Sequence, residues 1–367
     1  MKIDIILPYK EIFSKNKASA VSLTIKNSAE FSDFKSKINV FGQYTELPFI
    51  DVNFTGIKTN KFFHLGNNKS ILVNYLRITK NFYNERKIIE MHNRPYIFNL
   101  ACRKEKKNPI TMHFHNDPRA MKGSKTVSER ISIATEAAAV YFVSEYIRNC
   151  FTDGIKQKFD NLHIIPNGIQ RRIITQPIKR KEILFIGRLV REKGCHLFIN
   201  AISKIVKEYP DWKFKIIGTP KAGQNKINSD YAKSLIKNFK LLGDNTEYLG
   251  FISNERVQEI LNLTSILVVP SIWQEPFALT ALEGMCSGSA VIASKVGGMS
   301  EMLEDSGLLI ENINEKILEK KIRELIENKT LLKHYQNKSW FNYKYNQSEI
   351  VKKQDLIRKE IFSNFNF

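Results

Sequence analysis

The chain has 367 residues, of which 43% are hydrophobic and 26% are charged, a balance that excludes wholesale disorder and leaves room for two hydrophobic cores. Its apolar runs fall short of the roughly 18 residues that a transmembrane helix needs, and the N-terminal run, residues 3–7, is too short for a signal peptide. We therefore expect a cytoplasmic protein whose four scattered cysteines are free packing residues.

Positive charge is unevenly distributed along the chain, whose formal net charge is +20. Residues 1–180 contain 30 basic and 15 acidic residues, whereas residues 181–367 contain 27 and 22. A general compositional bias would load both halves alike, so the excess favours an anionic partner for the first half, either a membrane surface or a phosphorylated glycolipid. Nucleic acid is not expected, because neither a paired Cys/His finger nor an aromatic RNP stretch is present.

Predicted strands and helices alternate along the first half of the chain. Apolar runs predict strands at 2–7, 38–41, 87–91, 110–114 and 141–143. Helical spacing predicts helices at 18–34 and 127–137, and Ser144 is a suitable N-cap for a further helix. Because β and α segments alternate, we expect a parallel sheet with helices on both faces.

The same pattern restarts after a basic, irregular stretch at 170–181. Strands are predicted at 183–187, 214–218, 248–250, 266–270 and 290–293. Helices are predicted at 196–207, 231–241, 254–263 and 276–286, and from about residue 315 onward. We therefore expect two Rossmann-like α/β domains, 1–172 and 178–344, with a last helix at about 345–367 packing back on the first. Ligands of such folds bind at the carboxyl ends of the strands, which here predicts a site in the cleft between the domains.

Several phosphate-binding and metal-binding motifs are missing from the sequence. No G-x-G-x-x-G follows the first strand, which disfavours a nicotinamide or flavin site, and no Walker pattern is present. An Asp-x-Asp pair that would hold a divalent metal against a diphosphate is also missing. We therefore expect neither a metal nor a bound cofactor.

The segment Glu275 to Glu283 is the strongest chemical signal. Pro276 suits the first position of a helix, and free amides at a helix start can hold a pyrophosphate. In a continuous helix the two glutamates would stand about 12 Å apart along the axis, a separation that suits a hexose at one end of a diphosphate and a ribose at the other. An ordinary amphipathic helix with two solvated glutamates would show the same spacing.

A basic turn follows the first strand of the second half. It runs from Gly187 to Gly194, and Arg188 and Lys193 could both reach a diphosphate from it, one as a forked donor and the other as a point charge. Two fixed cations can offset charge that develops on a leaving phosphate without a metal. A solvated basic turn is the alternative interpretation.

Together these segments resemble the group 1, family 4 retaining glycosyltransferases of GT-B fold. The resemblance is dense from about 164 to 304 and rests on residues 165–169, 185–189 with 192–194, 270–271, 275–283, and 291–294 with 297–298. It implies that Gly187, Arg188 and Lys193 bind the donor phosphates, that Glu275 binds the transferred sugar and Glu283 the ribose. It also implies that Phe277, Ala278 and Leu279 contact the donor through backbone amides. The chain departs from the family at Ala278, where Gly is usual, at Gly284, where Ala is usual, and at 218–220, where a glycine-rich turn is usual.

The first half offers a second candidate site at His113 to Pro118, just past a predicted strand. Family members often place a histidine here that touches the donor sugar, and the resemblance assigns this role to His115. A metal pair with His113 is an alternative that lacks a third ligand at useful spacing, and core or capping roles are another. Asn116, Asp117 and Arg94 are candidates for the acceptor side, although Asp117 before a proline also suits turn chemistry. Residues 15–20 stand where the family has a glycine-rich loop, and Lys15 or Lys17 there is a further candidate cation.

The sequence thus predicts an enzyme that transfers a hexose-type sugar, with retention, from a nucleotide-diphospho-sugar held by the C-terminal domain. The acceptor, held by the N-terminal domain, is expected to be a glycan or lipid-linked molecule of cell-envelope or lipopolysaccharide biosynthesis, reached from the inner face of the plasma membrane. The alternatives are a nucleotide-sugar epimerase on the same fold, and a non-catalytic basic protein that binds membrane or nucleic acid on an inactivated scaffold.

Overall fold

The computed structural model describes residues 1–15, 18–58, 66–80, 85–221 and 227–365. The chain divides into two compact units. The first unit consists of residues 1–168 together with 347–367, and the second consists of residues 169–346. Each unit has its own parallel sheet with helices packed against it, so the α/β class and the parallel sheets expected from the sequence are confirmed.

The strands form one sheet in each unit. The first sheet contains β1 (Lys2–Ile6), β2 (Ile38–Gln43), β3 (Asn53–Ile57), β4 (Lys87–His92), β5 (Ile110–Phe114), β6 (Ala139–Phe142) and β7 (Leu162–Ile164). The second contains β8 (Arg180–Ile186), β9 (Lys213–Ile217), β10 (Thr246–Gly250), β11 (Thr264–Val269), β12 (Ala290–Ser294) and β13 (Leu308–Ile310). The strand orders are β3-β2-β1-β4-β5-β6-β7 and β10-β9-β8-β11-β12-β13. The order reverses beside β1 and beside β8, and ligands of doubly wound sheets bind at such points, beyond the carboxyl ends of the strands.

Helices connect the strands. They are α1 (Ala20–Phe31), α2 (Asn67–Thr79), α3 (Pro95–Lys104), α4 (Val127–Glu136), α5 (Glu145–Thr152), α6 (Cys195–Ile202), α7 (Asp230–Lys240), α8 (Asn254–Leu263), α9 (Leu279–Ser287), α10 (Met299–Leu303), α11 (Glu315–Glu327), α12 (Lys329–Phe341) and α13 (Gln347–Asn364). Side-chain caps define several of their ends. The Ser144 hydroxyl accepts from the Ile147 amide at the start of α5, as the sequence predicted, and Thr126 forms a capping box with Glu129 at the start of α4.

Apolar side chains fill each unit separately. The core of the second unit centres on buried residues of the sheet and of α6, among them Phe185, Phe198 and Phe214. The first unit has apolar clusters around β1 and around β6. The four cysteines are free and buried, as expected. Among the described residues, no helix combines the length and the apolar character needed to cross a bilayer.

Candidate active site

Two loops meet at the switch point of the second sheet. One follows β8 and runs from Gly187 to Gly194, and the other follows β11 and runs from Pro270 to Glu275. The backbone of Gly194 has φ +69°, and a Cβ there would collide with the carbonyl oxygen of Pro270, so this position requires glycine. The Ile272 amide donates to the Glu192 carbonyl oxygen at 2.9 Å. The two segments that the sequence predicted for donor binding are therefore in direct contact.

A buried carboxylate lies where these loops meet. Glu275 is 4% exposed, and its Oε1 accepts from Lys193 Nζ at 2.6 Å and from Ser271 Oγ at 2.6 Å. The Lys193 ammonium also lies 5.3 Å from the centre of the Trp273 ring. A buried charge is tolerated when it is paired and hydrogen-bonded. Any hydroxyl or phosphate that binds here therefore meets a cation and an anion that already hold each other in place.

A glycine turn fixes the backbone of the same glutamate. The Gly298 amide donates to the Glu275 carbonyl oxygen at 2.8 Å, and the Gly297 amide donates to Gln274 Oε1 at 2.8 Å. Gly297 has φ +53°, and a Cβ there would collide with the Glu275 backbone. The turn after β12 therefore lies directly against the backbone of Glu275.

The helix after Glu275 begins later than the sequence predicted. α9 starts at Leu279, with Ala278 as its N-cap, so Pro276 is not the first helical residue. The reason is that the Glu275 carbonyl oxygen accepts from Gly298 rather than from an amide of its own helix. The predicted separation of the two glutamates, about 12 Å, assumed a continuous helix from Glu275 to Glu283. That assumption was wrong. The free amides at the helix start are those that follow Ala278.

Glu283 lies in the second turn of α9, apart from the Lys193 pair. Its Oε1 accepts from Asn254 Nδ2, at the start of α8, at 3.4 Å. Burial raises the pKa of Glu283 to about 7, against a smaller opposing effect of the Asn254 hydrogen bond. This carboxylate therefore carries only part of its charge near neutral pH until another group hydrogen-bonds to it.

The remaining predicted donor residues differ in exposure. Arg188 is exposed directly after Gly187, at the carboxyl end of β8. Phe277 and Ala278 are buried, at 7% and 6% exposure, and Leu279 is half-buried. The Phe277 ring packs edge-on against Tyr345 with centroids 5.7 Å apart. Phe277 thus anchors the segment that leads into α9, while the Arg188 guanidinium is available at the surface.

In the first unit, the loop after β5 holds the predicted histidine. His115 is half-buried, its amide donates to Asn93 Oδ1 at 2.8 Å, and its Nε2 lies 2.9 Å from His92 Nδ1. Burial lowers the pKa of His115 to about 3, and the neighbouring His113 adds to this effect. His115 is therefore neutral at physiological pH, as a hydrogen-bonding rather than a charged group.

The three residues predicted for the acceptor side are not all free to bind. Asn116 is exposed. Asp117 caps a short turn, where its carboxylate accepts from the amide and the guanidinium of Arg119 at 2.9 to 3.2 Å. Burial opposes its ionisation, but these hydrogen bonds outweigh burial and lower the pKa of Asp117. The Arg94 guanidinium donates to the Asn93 carbonyl oxygen at 2.6 Å. Asp117 thus has the turn role that its position before proline suggested.

A buried cluster on β4 and β5 brings together groups of the kind that bind metals. Ligand atoms of Glu90, His92 and His113 all lie within 4.8 Å of one another, a set that contains His113 but not His115 of the pair considered from the sequence. Both oxygens of Glu90, however, accept from Arg358, at 2.8 and 2.7 Å. His113 Nε2 lies 3.2 Å from Thr111 Oγ1. The carboxylate is thus engaged by a buried guanidinium, whose charge would oppose a second cation, and the donor set fits an ion pair better than a metal.

The two parallel sheets and their strand orders define a fold class. Solved structures match the chain over nearly its whole length. The HepE protein of Anabaena, in a complex with UDP, has a TM-score of 0.76 at 16% identity, over 98% of this chain and 100% of that one. The fold is GT-B. The switch-point loops described above lie in the second of its two α/β units.

Sequence relatives identify the enzyme class. The family described as "Glycosyl transferases group 1" matches residues 167–340. An uncharacterized glycosyltransferase of Methanocaldococcus jannaschii is 29% identical over 342 residues, which is 90% of this chain and 92% of the relative. A lipopolysaccharide 1,2-N-acetylglucosaminetransferase of Salmonella typhimurium is 24% identical over 283 residues, which is 70% of this chain and 70% of the relative. The chain is a glycosyltransferase whose residues 167–340 match the group 1 family.

Several residues at these sites had no predicted role. Ser271 belongs to the Pro270–Ser271 motif, and its place directly after a buried strand could have indicated a role at the site. Asn254 could have been found only from the packing of neighbouring elements. Arg358 lies in the last helix, 268 residues from its partner Glu90, and no local signal connects the two.

Proposed function

We propose that this glycosyltransferase moves a hexose-type sugar from a nucleotide-diphospho-sugar to a glycan or lipid-linked acceptor with retention of configuration. The observation that carries the proposal is the Lys193–Glu275–Ser271 cluster at the carboxyl ends of β8 and β11. It sets a cation and a buried carboxylate side by side, close to the start of α9. A diphosphate and the hydroxyls of its sugar need this combination of groups.

In the proposed reaction the bond between sugar C1 and the diphosphate oxygen breaks while a bond from C1 to the acceptor oxygen forms on the same face. The acceptor proton passes to an oxygen of the leaving phosphate. Arg188 and Lys193 offset the charge that develops on that phosphate, so that no metal is required. Glu275 orients the sugar hydroxyls and Glu283 accepts from the ribose hydroxyls. Gly187 and the backbone of Phe277, Ala278 and Leu279 complete the donor contacts.

The donor and acceptor classes are supported by the relatives. HepE was solved with UDP, so UDP-sugars are the first donors to test. The Salmonella relative acts on lipopolysaccharide, which supports an acceptor of cell-envelope type. We further propose that the first unit binds the acceptor, with His115 touching the transferred sugar.

Exposed basic side chains of the first unit support an anionic acceptor or membrane surface. Residues 103–107 span the end of α3 and include four exposed basic side chains. Lys122 lies 4.3 Å from the centre of the Tyr96 ring, which is 40% exposed. Aromatic rings beside cations suit the headgroup region of a membrane. We propose that the protein associates peripherally with the inner face of the plasma membrane.

The test is a thermal-shift screen of UDP-, GDP- and ADP-sugars, followed by transfer of labelled sugar from the donor that binds. A ligand at 100 times its Kd stabilises a protein by about 2.7 kcal/mol. Glu275→Gln should abolish transfer. The matched control is Glu208→Gln, since Glu208 also pairs with a cation, Arg323, but is exposed. Unchanged transfer in Glu275→Gln would reject the site, and epimerised donor without transfer would reject the reaction.

A further inference from the structure

Polar rings form a row across one face of the first sheet. In the register of the parallel strands, His92 lies beside His113 and His113 beside Tyr141. The ring centroids are 4.2 and 4.3 Å apart along this row, and the planes are close to parallel. His92 and His113 are 5% and 6% exposed. Strands of buried parallel sheets are usually apolar throughout, so a polar row calls for an explanation beyond packing.

His92 connects this row of rings to the loop that holds His115. His92 Nδ1 lies 2.9 Å from His115 Nε2, and the two rings stack with centroids 5.2 Å apart. Burial lowers the pKa of both groups, with nearby histidines adding to the effect. A hydrogen bond between two neutral imidazoles contains one shared proton, so the tautomer of one ring dictates the tautomer of the other.

The other nitrogen of His92 is free to respond to its surroundings. Within the described part of the chain, His92 Nε2 is buried without a hydrogen-bond partner, as are the Tyr141 hydroxyl and Gln347 Oε1. All three residues line one cavity of the first unit. Because Arg358 and Glu90 at this cavity are paired with each other, the groups left for an occupant are neutral. They suit water or a hydroxyl group, which can both donate and accept.

We propose that His92 is a positioning residue that fixes the ring orientation of His115 and ties the tautomer of His115 to its own. The Asn93 side chain holds the His115 backbone, and His92 holds its ring. The hydrogen bond commits His115 Nε2 to one partner, so that only its Nδ1 is left to meet a substrate. The catalytic consequence rests on the proposed contact between His115 and the transferred sugar, whereas the positioning itself does not.

The first test is nitrogen NMR of protein labelled with ¹⁵N at histidine, at neutral pH and without any donor. Single-histidine variants assign the His115 signals. His92 and His115 should each show one protonated and one bare ring nitrogen, and the two rings should share one tautomer, either both Nδ1–H or both Nε2–H. His92→Phe should average the two His115 nitrogens between tautomers. His92→Asn, whose amide can donate to or accept from His115 Nε2, should keep the chemical shift of a hydrogen-bonded Nε2 and covers the case in which the phenylalanine variant does not fold. The matched control is His163→Phe, because His163 borders the same row beside Tyr141. A His115 tautomer that is unchanged in His92→Phe, or one that differs from that of His92 in the unaltered protein, overturns the proposal.

The second test uses turnover once a donor is known. His92→Phe should lower kcat on the order of 10²-fold, as expected for a misplaced reacting group, with little change in the donor KM. His92→Asn should recover much of the loss, and His163→Phe should be unaffected. If no donor is turned over, the proposed function fails while the NMR result still stands. If the tautomer is lost but kcat is unchanged, the role of His92 in turnover is overturned.

Discussion

The Lys193 ammonium lies 2.6 Å from Oε1 of Glu275, and each residue comes from a different loop of the second sheet. Glu275 is the more buried partner, with its side chain 5% exposed against 25% for Lys193. The pair therefore has a structural function besides its proposed one, since it neutralises a carboxylate that the backbone holds away from water. A donor phosphate would have to share the lysine rather than find it free.

Lys193→Met should destabilise the protein by about 1–3 kcal/mol as well as abolish transfer, because it leaves the buried Glu275 carboxylate with Ser271 as its remaining side-chain partner. Urea unfolding followed by circular dichroism measures this change. The control is Lys181→Met, since Lys181 pairs with Asp211 where both side chains are 56% exposed. It should alter stability by less than about 0.5 kcal/mol. Equal effects in the two variants would contradict the structural function of the pair.

Glu283→Gln should stabilise the donor-free protein at alkaline pH. The native pKa of Glu283, about 7, lies above its unfolded value, so the folded state holds its proton longer and stability falls as pH rises between these two values. The loss of stability caused by the Glu283 charge is absent below about pH 4.5 and complete above about pH 7. After allowance for partial exposure it is on the order of 2 kcal/mol. The free energy of unfolding of Glu283→Gln should equal that of the unaltered protein at pH 4.5. It should exceed that of the unaltered protein at pH 8. A difference independent of pH would refute the assignment.

Gly284→Ala should destabilise the second unit, although alanine is the better helix former. A Cβ at Gly284 would collide with Leu267 Cδ2 and lie 3.0 Å from Val291 Cγ2, and both neighbours are fully buried strand residues. Overpacking costs about 1–3 kcal/mol, which exceeds the gain in propensity of about 1 kcal/mol. Leu267 thus accounts for glycine where related enzymes usually have alanine. Adding Leu267→Val should recover part of the loss, and strictly additive effects would argue against the contact.

Arg358→Leu should destabilise the first unit by about 3–5 kcal/mol, the usual result of removing one partner of a buried pair. Arg358 is 1% exposed and holds Glu90 and Asp355. The double variant Arg358→Leu, Glu90→Gln should be more stable than the single variant, because the glutamine leaves one less unpaired charge. The unfolding transitions of the two variants give the comparison. A double variant no better than the single one would show that Glu90 is neutralised by other means.

Removal of divalent metals should leave transfer unchanged. In the proposed mechanism Arg188 and Lys193 offset the charge of the leaving diphosphate, so a chelator takes nothing from the site. The measurement is the initial rate with EDTA and after addition of Mg²⁺ or Mn²⁺. A rate that falls with EDTA and returns with the ion would require a metal in the donor site.

Much of the fold could be predicted because hydrophobic periodicity is local. β5 and α8 have the predicted bounds, 110–114 and 254–263. α2, α3 and β3 were missed, although α3 buries an apolar face that includes Ile97, Phe98 and Ala101. α3 begins at Pro95, and proline suits the first position of a helix.

The candidate site was predictable only in part. Motif spacing identified the two loops after β8 and β11, because the carboxyl ends of parallel strands meet at one edge of a sheet. The pairing of Lys193 with Glu275 and of Arg358 with Glu90 depends on packing between distant segments. The predicted start of α9 was wrong because the Gly298 amide, which follows β12, donates to the Glu275 carbonyl oxygen. Lys17 lies outside the described residues, and Lys15 is exposed.

The first unit is assembled from two stretches of chain, 1–168 and 347–367, and the guanidinium that neutralises Glu90 belongs to the second of them. During synthesis, which delivers N-terminal segments first, β4 therefore emerges long before its counter-ion. The second unit is a single uninterrupted stretch of chain, so it can fold on the ribosome before the first unit is complete. A product that ends before Arg358 would lack the partner of the buried Glu90 carboxylate, so quality control should remove such truncated products even when their second unit is intact.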